Sequence, residues 1–317
     1  MSTPPFSSYA QNGEDVVLWR ALGSVPRGRY VEVGANDPSI DSISRAFYDA
    51  GWRGLCIEPV AALAERYRAE RPGDTVVEAA ITDADTDTVV LHQIDGTGLS
   101  TLDEAVVVGH QQSGLQVHDV KVPAKRLDAV LDEAGWSGLD IHFMVVDVEG
   151  AEASALASLD LTTWRPWVLV IESTRPRTTE PTQHEWEHLV LGAGYQFSLF
   201  DGLSRFYVAD EHVALLGPLL SYPACVHDNY TDHHYRSLEA DRDAVAQDNV
   251  RLRRQVESLV SAVVRWRRAA WEAAVAEPPA PVDDWAKQEL EATRATLSWR
   301  ITKPLRAVRG AGVRRPG

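Results

Sequence analysis

The chain has 317 residues, 44% hydrophobic and 24% charged, with a formal charge of −15; that is room for one full α/β domain and a smaller appendage. No run approaches the ~18 apolar residues of a membrane span, residues 1–13 lack the basic and apolar segments of a signal peptide, and Cys56 and Cys225 alone give no disulfide framework. Residues 1–235 hold 35 Asp/Glu against 15 Lys/Arg, while 236–317 hold 11 against 16; an acidic body excludes a nucleic-acid partner, because phosphate contact relies on clustered positive charge. A cytoplasmic, reducing compartment is expected.

From Gly28 to Val170, apolar runs of strand length alternate with amphipathic stretches of helix length. Strands are predicted at 30–34, 55–58, 75–81, 141–147 and 167–172, and helices at 40–50, 60–70, 127–134 and 151–159. Continuous apolar runs such as 142–146 mark strands buried on both faces, and the alternation builds βαβ units with a parallel sheet. Segments 89–94 and 117–123 read as two further short strands framing a loop, 96–114. A helix over 183–191 precedes segments 195–200 and 205–208, which flank Asp201-Gly202 and read as a hairpin. The fold class expected for residues 1–235 is therefore α/β: a doubly wound, mostly parallel seven-stranded sheet with a terminal antiparallel hairpin.

Beyond Arg236 the character changes. Leu238, Val245, Leu252, Leu259 and Trp266 recur every seven residues, with Arg242, Asn249, Val256, Val263 and Ala270 four residues after each. That is a coiled-coil seam over residues 236–275. A buried Asn249, with β-branched Val256 and Val263 in the same column, favours a parallel homodimer; a helix folded back on the catalytic domain uses the same stripe. A Pro-rich linker, 276–282, and a basic amphipathic helix with its tail, 283–317, follow; the helix itself is expected over 283–302. Trp299, Ile301 and Leu305 among seven Lys/Arg between Arg294 and Arg315 suit docking on an anionic membrane surface or on an acidic enzyme of the same pathway. Peripheral attachment at the inner face of the membrane is thus a second expectation for location.

The chemistry concentrates at strand ends. Residues 30–37 (YVEVGAND) form a strand ending in Gly34, where the backbone turns tightly and a ligand can approach. The next strand ends at Glu58, 24 residues on, placed to accept hydrogen bonds from both hydroxyls of a ribose. A dinucleotide site wants G-x-G-x-x-G, but Gly34 stands alone. Glu58, Asp147, Glu149 and Glu172 at the strand ends would repel a pyrophosphate and welcome a sulfonium cation. Cys225, His227, Asp228, Asp232, His233 and His234 match no zinc spacing and read as a polar loop.

At these residues the chain resembles the FkbM family of methyltransferases, through 8–15 (SYAQNGED), 31–36 (VEVGAN), 51–59 (GWRGLCIEP) and 146–152 (VDVEGAE). Segments 98–104 (GLSTLDE) and 164–172 also resemble members found with polysaccharide-biosynthesis genes, and 298–306 (SWRITKPLR) is similar to endings of enzymes in cell-surface glycan pathways. Glu32 departs from the aspartate common in the family. The resemblance implies a class I fold, S-adenosylmethionine as donor and a hydroxyl acceptor, here a sugar of a bacterial surface glycan or its precursor. A small metabolite such as a macrolide is the alternative acceptor, and a non-catalytic cofactor-binding scaffold acting through the coiled coil the alternative role.

Carried over by position, the resemblance places Glu32, Gly34, Ala35 and Asn36 along the methionine part of the donor and Glu58 on its ribose. Ala80 and Ile81, with Asp83, take the adenine edge, and Gln11 and Asn12 fold over the site. Methyl transfer needs the acceptor oxygen, methyl and sulfur in line, and an alkyl hydroxyl must lose its proton as the bond forms. Asp147, Glu149 and Glu172 are the catalytic candidates. One of them acts as base, or Asp147 and Glu172 share a magnesium ion that acidifies the hydroxyl. Ser100, Thr101, Arg175 and Arg177 lie in loops expected to overhang the acceptor, where Arg175 could hold an anionic group bidentately.

Overall fold

A computed structural model describes residues 5–94, 98–276 and 284–303. In chain order the strands are β1 (Phe6–Ser8), β2 (Arg29–Val33), β3 (Arg53–Ile57), β4 (Thr75–Val77), β5 (Ala80–Ile81), β6 (Thr88–Gln93), β7 (His118–Lys125), β8 (Phe143–Val146), β9 (Val168–Glu172), β10 (Tyr195–Phe200), β11 (Ser204–Ala209) and β12 (Tyr230–Asp232). The α-helices are α1 (Glu14–Leu22), α2 (Arg45–Asp49), α3 (Ala61–Glu70), α4 (Glu104–Gln112), α5 (Leu127–Glu133), α6 (Glu152–Ala157), α7 (Glu187–Gly192), α8 (Val213–Leu216), α9 (His233–Val275), α10 (Asp284–Ala295) and α11 (Leu297–Ile301).

Seven strands form the main sheet in the order β10-β11-β9-β8-β2-β3-β4. Strands β4, β3, β2, β8 and β9 are parallel, and the β10–β11 hairpin joins antiparallel through β11 against β9. This is the doubly wound sheet with a terminal hairpin that the sequence predicts. Alternate residues of the central strands feed two cores. Val31, Val33, Met144, Val146, Leu169 and Ile171 pack with Leu127, Leu131 and Leu156 on one face. Tyr30, Phe143, Val145, Val168 and Val170 pack with Leu18, Phe47 and Trp52 on the other. Burial on both faces is why these strands read as unbroken apolar runs.

A small second sheet, β5-β7-β6, stands beside the main one. The segment predicted as one strand over 75–81 is divided, β4 staying in the main sheet and β5 pairing with β7. Small, buried Ala79 and Ala80 lie where the chain crosses from one sheet to the other. The predicted helix 40–50 shrinks to α2. Asp37 accepts from the backbone N–H of Ser39 and Ile40, and Asp41 takes a left-handed backbone (φ 54°), so the helix starts late. Helix α4 occupies the segment read as loop; its run Val106-Val107-Val108 has the β-branched character of a strand.

The N-terminus is held by Asp15, which accepts from the Ser8 hydroxyl (2.7 Å) and the Tyr9 N–H (2.7 Å), and by the parallel β1–β12 pair.

The chain divides into units 1–240 and 241–317. Helix α9 runs 43 residues with none buried; Leu238 is 53% and Trp266 73% exposed on its seam. The helix predicted over 283–302 is two helices. Thr296, extended at ψ 147°, ends α10 and caps α11 by accepting from the Trp299 N–H. Residues 277–283, most of the predicted Pro-rich linker, and the tail beyond Lys303 lie outside the described residues. Among the described residues no helix is long and apolar enough to cross a membrane.

Candidate active site

Strand order reverses between β2 and β8, the point at which open α/β sheets bind ligands beyond the carboxyl ends of their strands. A cavity opens there, lined by residues from the ends of β2, β3, β5 and β8 and from the segments that follow them. Its rear is the junction of the two strand ends. Gly34 has φ +81°, and a Cβ on it would lie 1.7 Å from the Asp147 carbonyl oxygen. The glycine therefore lets the turn after β2 and the turn after β8 touch.

Beyond Gly34, Asn36 is also left-handed (φ 51°), and its N–H donates to Glu58 Oε2 at 2.8 Å. The Val60 N–H donates to Glu58 Oε1, also at 2.8 Å. Glu58 is buried, which pushes its pKa up to about 7 against the pull of those two N–H donors. Each fixed oxygen keeps a lone pair for a further donor. Leu63, Ile81, Leu91, Leu102 and Val148 contribute apolar lining, suited to the faces of a flat ring.

The other end of the cavity is acidic. Asp147 follows β8, Glu149 sits two residues on in a left-handed conformation (φ 53°), Glu152 opens α6, and Glu172 ends β9. Burial raises all four carboxyl pKa values; the charges of Asp147 and Glu149 raise Glu172 further. The Glu172 carboxyl holds the pKa of Asp147 below what burial alone would give, while Asp147 pushes that of Glu172 higher. Glu152 rises to about 7, held lower by the Gly150 and Val148 N–H groups.

Of the residues singled out from sequence, Gly34, Asn36, Glu58, Ala80, Ile81, Ser100, Asp147 and Glu149 line the cavity. Glu172 lies behind Asp147 with Oε2 sealed from solvent. Thr101 is buried, its hydroxyl donating to the Glu149 carbonyl at 2.6 Å, so it fixes the loop rather than facing the cavity. Glu32 is not in the lining. Strand alternation turns it to the face of Tyr30 and Cys56, where it accepts from Ser44 and Tyr67 and neighbours the Arg71 guanidinium at 3.9 Å. Ala35 packs on that same face, its carbonyl accepting from the Tyr67 hydroxyl at 2.7 Å. Asp83 accepts from the Ser154 hydroxyl (2.6 Å), Arg175 pairs with Glu180 (3.3 Å) and Arg177 is left-handed (φ 59°) in the same loop. Gln11 is exposed, and the Asn12 amide donates to the Asp201 carbonyl at 3.2 Å, in the hairpin turn next to the β9 end.

Two residues escaped the sequence reading. Glu152 belongs to the acidic end, and its signal was present as the last residue of the 146–152 motif. Arg71 is fully buried, donating to Ser42 and Ser44 and neutralising Glu32 and Asp74 beneath the Gly34 turn. Nothing local in the sequence marks it, because its partners come from three separate segments.

The fold and site are thus a doubly wound α/β domain with a cavity at its switch point, bounded by Glu58 on one side and by the acidic cluster on the other. The family follows from sequence: residues 32–197 match the profile of the methyltransferase FkbM domain, just over half of the chain, and the chain belongs to that family of methyltransferases. No curated protein matches the chain. Among solved structures it is similar to a TehB-like SAM-dependent methyltransferase from Corynebacterium glutamicum, with TM-score 0.35, 10% identity, and 63% of this chain and 88% of that one covered. It is also similar to the CurJ carbon methyltransferase, with TM-score 0.35, 9% identity, and 62% and 53% covered. A third is the 1,6-didemethyltoxoflavin-N1-methyltransferase of Burkholderia thailandensis, solved with S-adenosylhomocysteine, with TM-score 0.32, 10% identity, and 62% and 74% covered. Likenesses this distant carry nothing about the donor or acceptor of this chain.

Proposed function

We propose that the protein transfers the methyl group of S-adenosylmethionine to a hydroxyl oxygen, the acceptor being a sugar of a bacterial surface glycan or of its precursor. The observation that carries this reading is the acidic end of the cavity, where Asp147 lines the space and Glu172 stands behind it. With the donor's ribose on Glu58 and its adenine in the apolar slot, the sulfonium would point toward these carboxylates, which attract it. The acceptor oxygen approaches in line as its proton passes to Asp147. Asn36, Ser100 and Glu149 make the surroundings polar, which suits an acceptor with several hydroxyls.

Incubation of the enzyme with isotopically labelled S-adenosylmethionine and glycan fractions tests this directly. The expected product is a sugar methyl ether, with Asp147→Asn lowering its rate of formation by about a hundredfold or more, far more than it weakens donor binding. Label appearing on nitrogen or carbon, or on apolar metabolites alone, would contradict the reading. We also propose that α9 pairs in parallel with α9 of a second copy, covering the seam that Leu238 and Trp266 leave exposed and setting two catalytic units at the same end of the coil.

A further inference from the structure

The carboxylates at the β8 and β9 ends are arranged more closely than a single general base requires. One oxygen each from Asp147, Glu152 and Glu172 lies within 4.8 Å of the others. Glu152 and Glu172 are buried, at 3% and 8% exposure. Glu152 is fixed from behind: its Oε1 accepts the N–H groups of Val148 and Gly150, both at 3.1 Å, which commits only one of its two oxygens. Glu172 Oε2 is shut off from solvent and has no hydrogen-bond partner. A buried carboxylate oxygen is normally matched by a cation or a donor, since leaving it bare is costly. Among the described residues no arginine is paired with Glu172. Arg175 and Arg205, from the elements that follow and flank β9, pair with Glu180 and Glu187.

We propose that Asp147, Glu152 and Glu172 form a binding site for one divalent cation of the magnesium or manganese kind. Three hard oxygen ligands suit such an ion, around which neighbouring ligands stand about 3 Å apart; the three carboxylates, now within 4.8 Å of one another, would draw together to hold it. The ligands come from two strand ends and a helix start, so they occupy one side of the ion. The other side faces the cavity through Asp147 and is left to water or to the acceptor hydroxyl. The role of the ion rests on the hydroxyl reading above. With an ion held there Asp147 would serve as ligand rather than as base, and an acceptor hydroxyl on the open side would be more acidic, losing its proton to water. The oxygen–methyl bond then forms as the methyl–sulfur bond breaks, that electron pair returning to the sulfur. Binding of the ion does not depend on that reading.

The test uses full-length protein stripped of metal, titrated with MnCl2 while free Mn²⁺ is followed by paramagnetic resonance, with MgCl2 as competitor. One saturable Mn²⁺ per chain, displaced by Mg²⁺, is expected, and Glu172→Gln and Glu152→Gln should each weaken it at least tenfold. Because the glutamine variants could differ in fold, thermal melting accompanies the titration. Mn²⁺ should raise the melting temperature of the wild type and leave that of folded Glu172→Gln unmoved. Absence of a saturable site, or equal Mn²⁺ affinity in wild type and Glu172→Gln, overturns the site. Stripped enzyme that binds no Mn²⁺ yet still methylates hydroxyls overturns it while leaving the hydroxyl reading intact. Tight Mn²⁺ binding without hydroxyl methylation upholds the site and removes the hydroxyl reading instead.

Discussion

Replacing Gly34 by alanine should damage the apo-protein before any cofactor is added. The position is left-handed (φ +81°), and the added Cβ would stand 1.7 Å from the Asp147 carbonyl oxygen. A non-glycine residue in that conformation costs roughly 1–2 kcal/mol. The overlap is with backbone, so no rotamer change relieves it; either the β2 turn or the end of β8 must move, at about 1–3 kcal/mol. The sum is roughly 2–5 kcal/mol, and for a domain of this size each kcal/mol lowers Tm by about 2–4 °C. Calorimetric melting of apo Gly34→Ala should therefore show a fall of at least about 4 °C. Since the displaced group carries Asp147, turnover should fall by about a hundredfold as well. An apo-protein melting like the wild type, with only donor affinity lost, would refute this account and make the glycine a matter of cofactor clearance alone.

Glu58→Ala removes the acceptor for the proposed ribose hydroxyls and for the Asn36 and Val60 N–H groups; a hydrogen bond to a charged group is worth about 1.5–3 kcal/mol, so calorimetry should show donor affinity at least about tenfold weaker, and unchanged affinity would remove Glu58 from the site. Glu14 is buried beside Asp201, and desolvation followed by that charge pushes its pKa up to about 8. A raised carboxyl pKa binds an extra proton in the folded state, so its contribution is complete below about 4.5, the ordinary value, and is lost as pH rises to about 8. Glu14→Gln should melt at a higher temperature relative to wild type at pH 8 than at pH 5, and parallel melting curves across that range would contradict the assignment. Light scattering at micromolar concentration should find a dimer for the full chain and a monomer for residues 1–235; a monomeric full chain would remove the α9 pairing.

Much of the fold was legible because both faces of the central strands are buried. Inside their ends, the runs at β2, β8 and β9 carry no charged residue except Glu32, with Arg29 and Glu172 at the termini, so their positions and parallel arrangement follow from composition. The strand ends were legible for the same reason: Gly34, Glu58 and Asp147 are where the runs of β2, β3 and β8 stop. Side-chain direction was not carried through at Glu32. Two-residue alternation from Val31 and Val33 turns it to the opposite face, where Ser44, Tyr67 and Arg71 hold it. Helix α4 was hidden by three consecutive valines, whose local preference is for a strand. Thr101 read as an acceptor contact because its buried bond to the Glu149 carbonyl joins segments 48 residues apart.

The central claim is that the cavity between the β2 and β8 ends holds the methyl donor. Amide hydrogen exchange with and without S-adenosylhomocysteine tests it most directly. Slower exchange is expected at residues 34–36, 58–60, 79–81, 98–102 and 147–149, with the β10–β11 hairpin unchanged. Protection centred on any other surface, or no protection under saturating S-adenosylhomocysteine, would contradict the account.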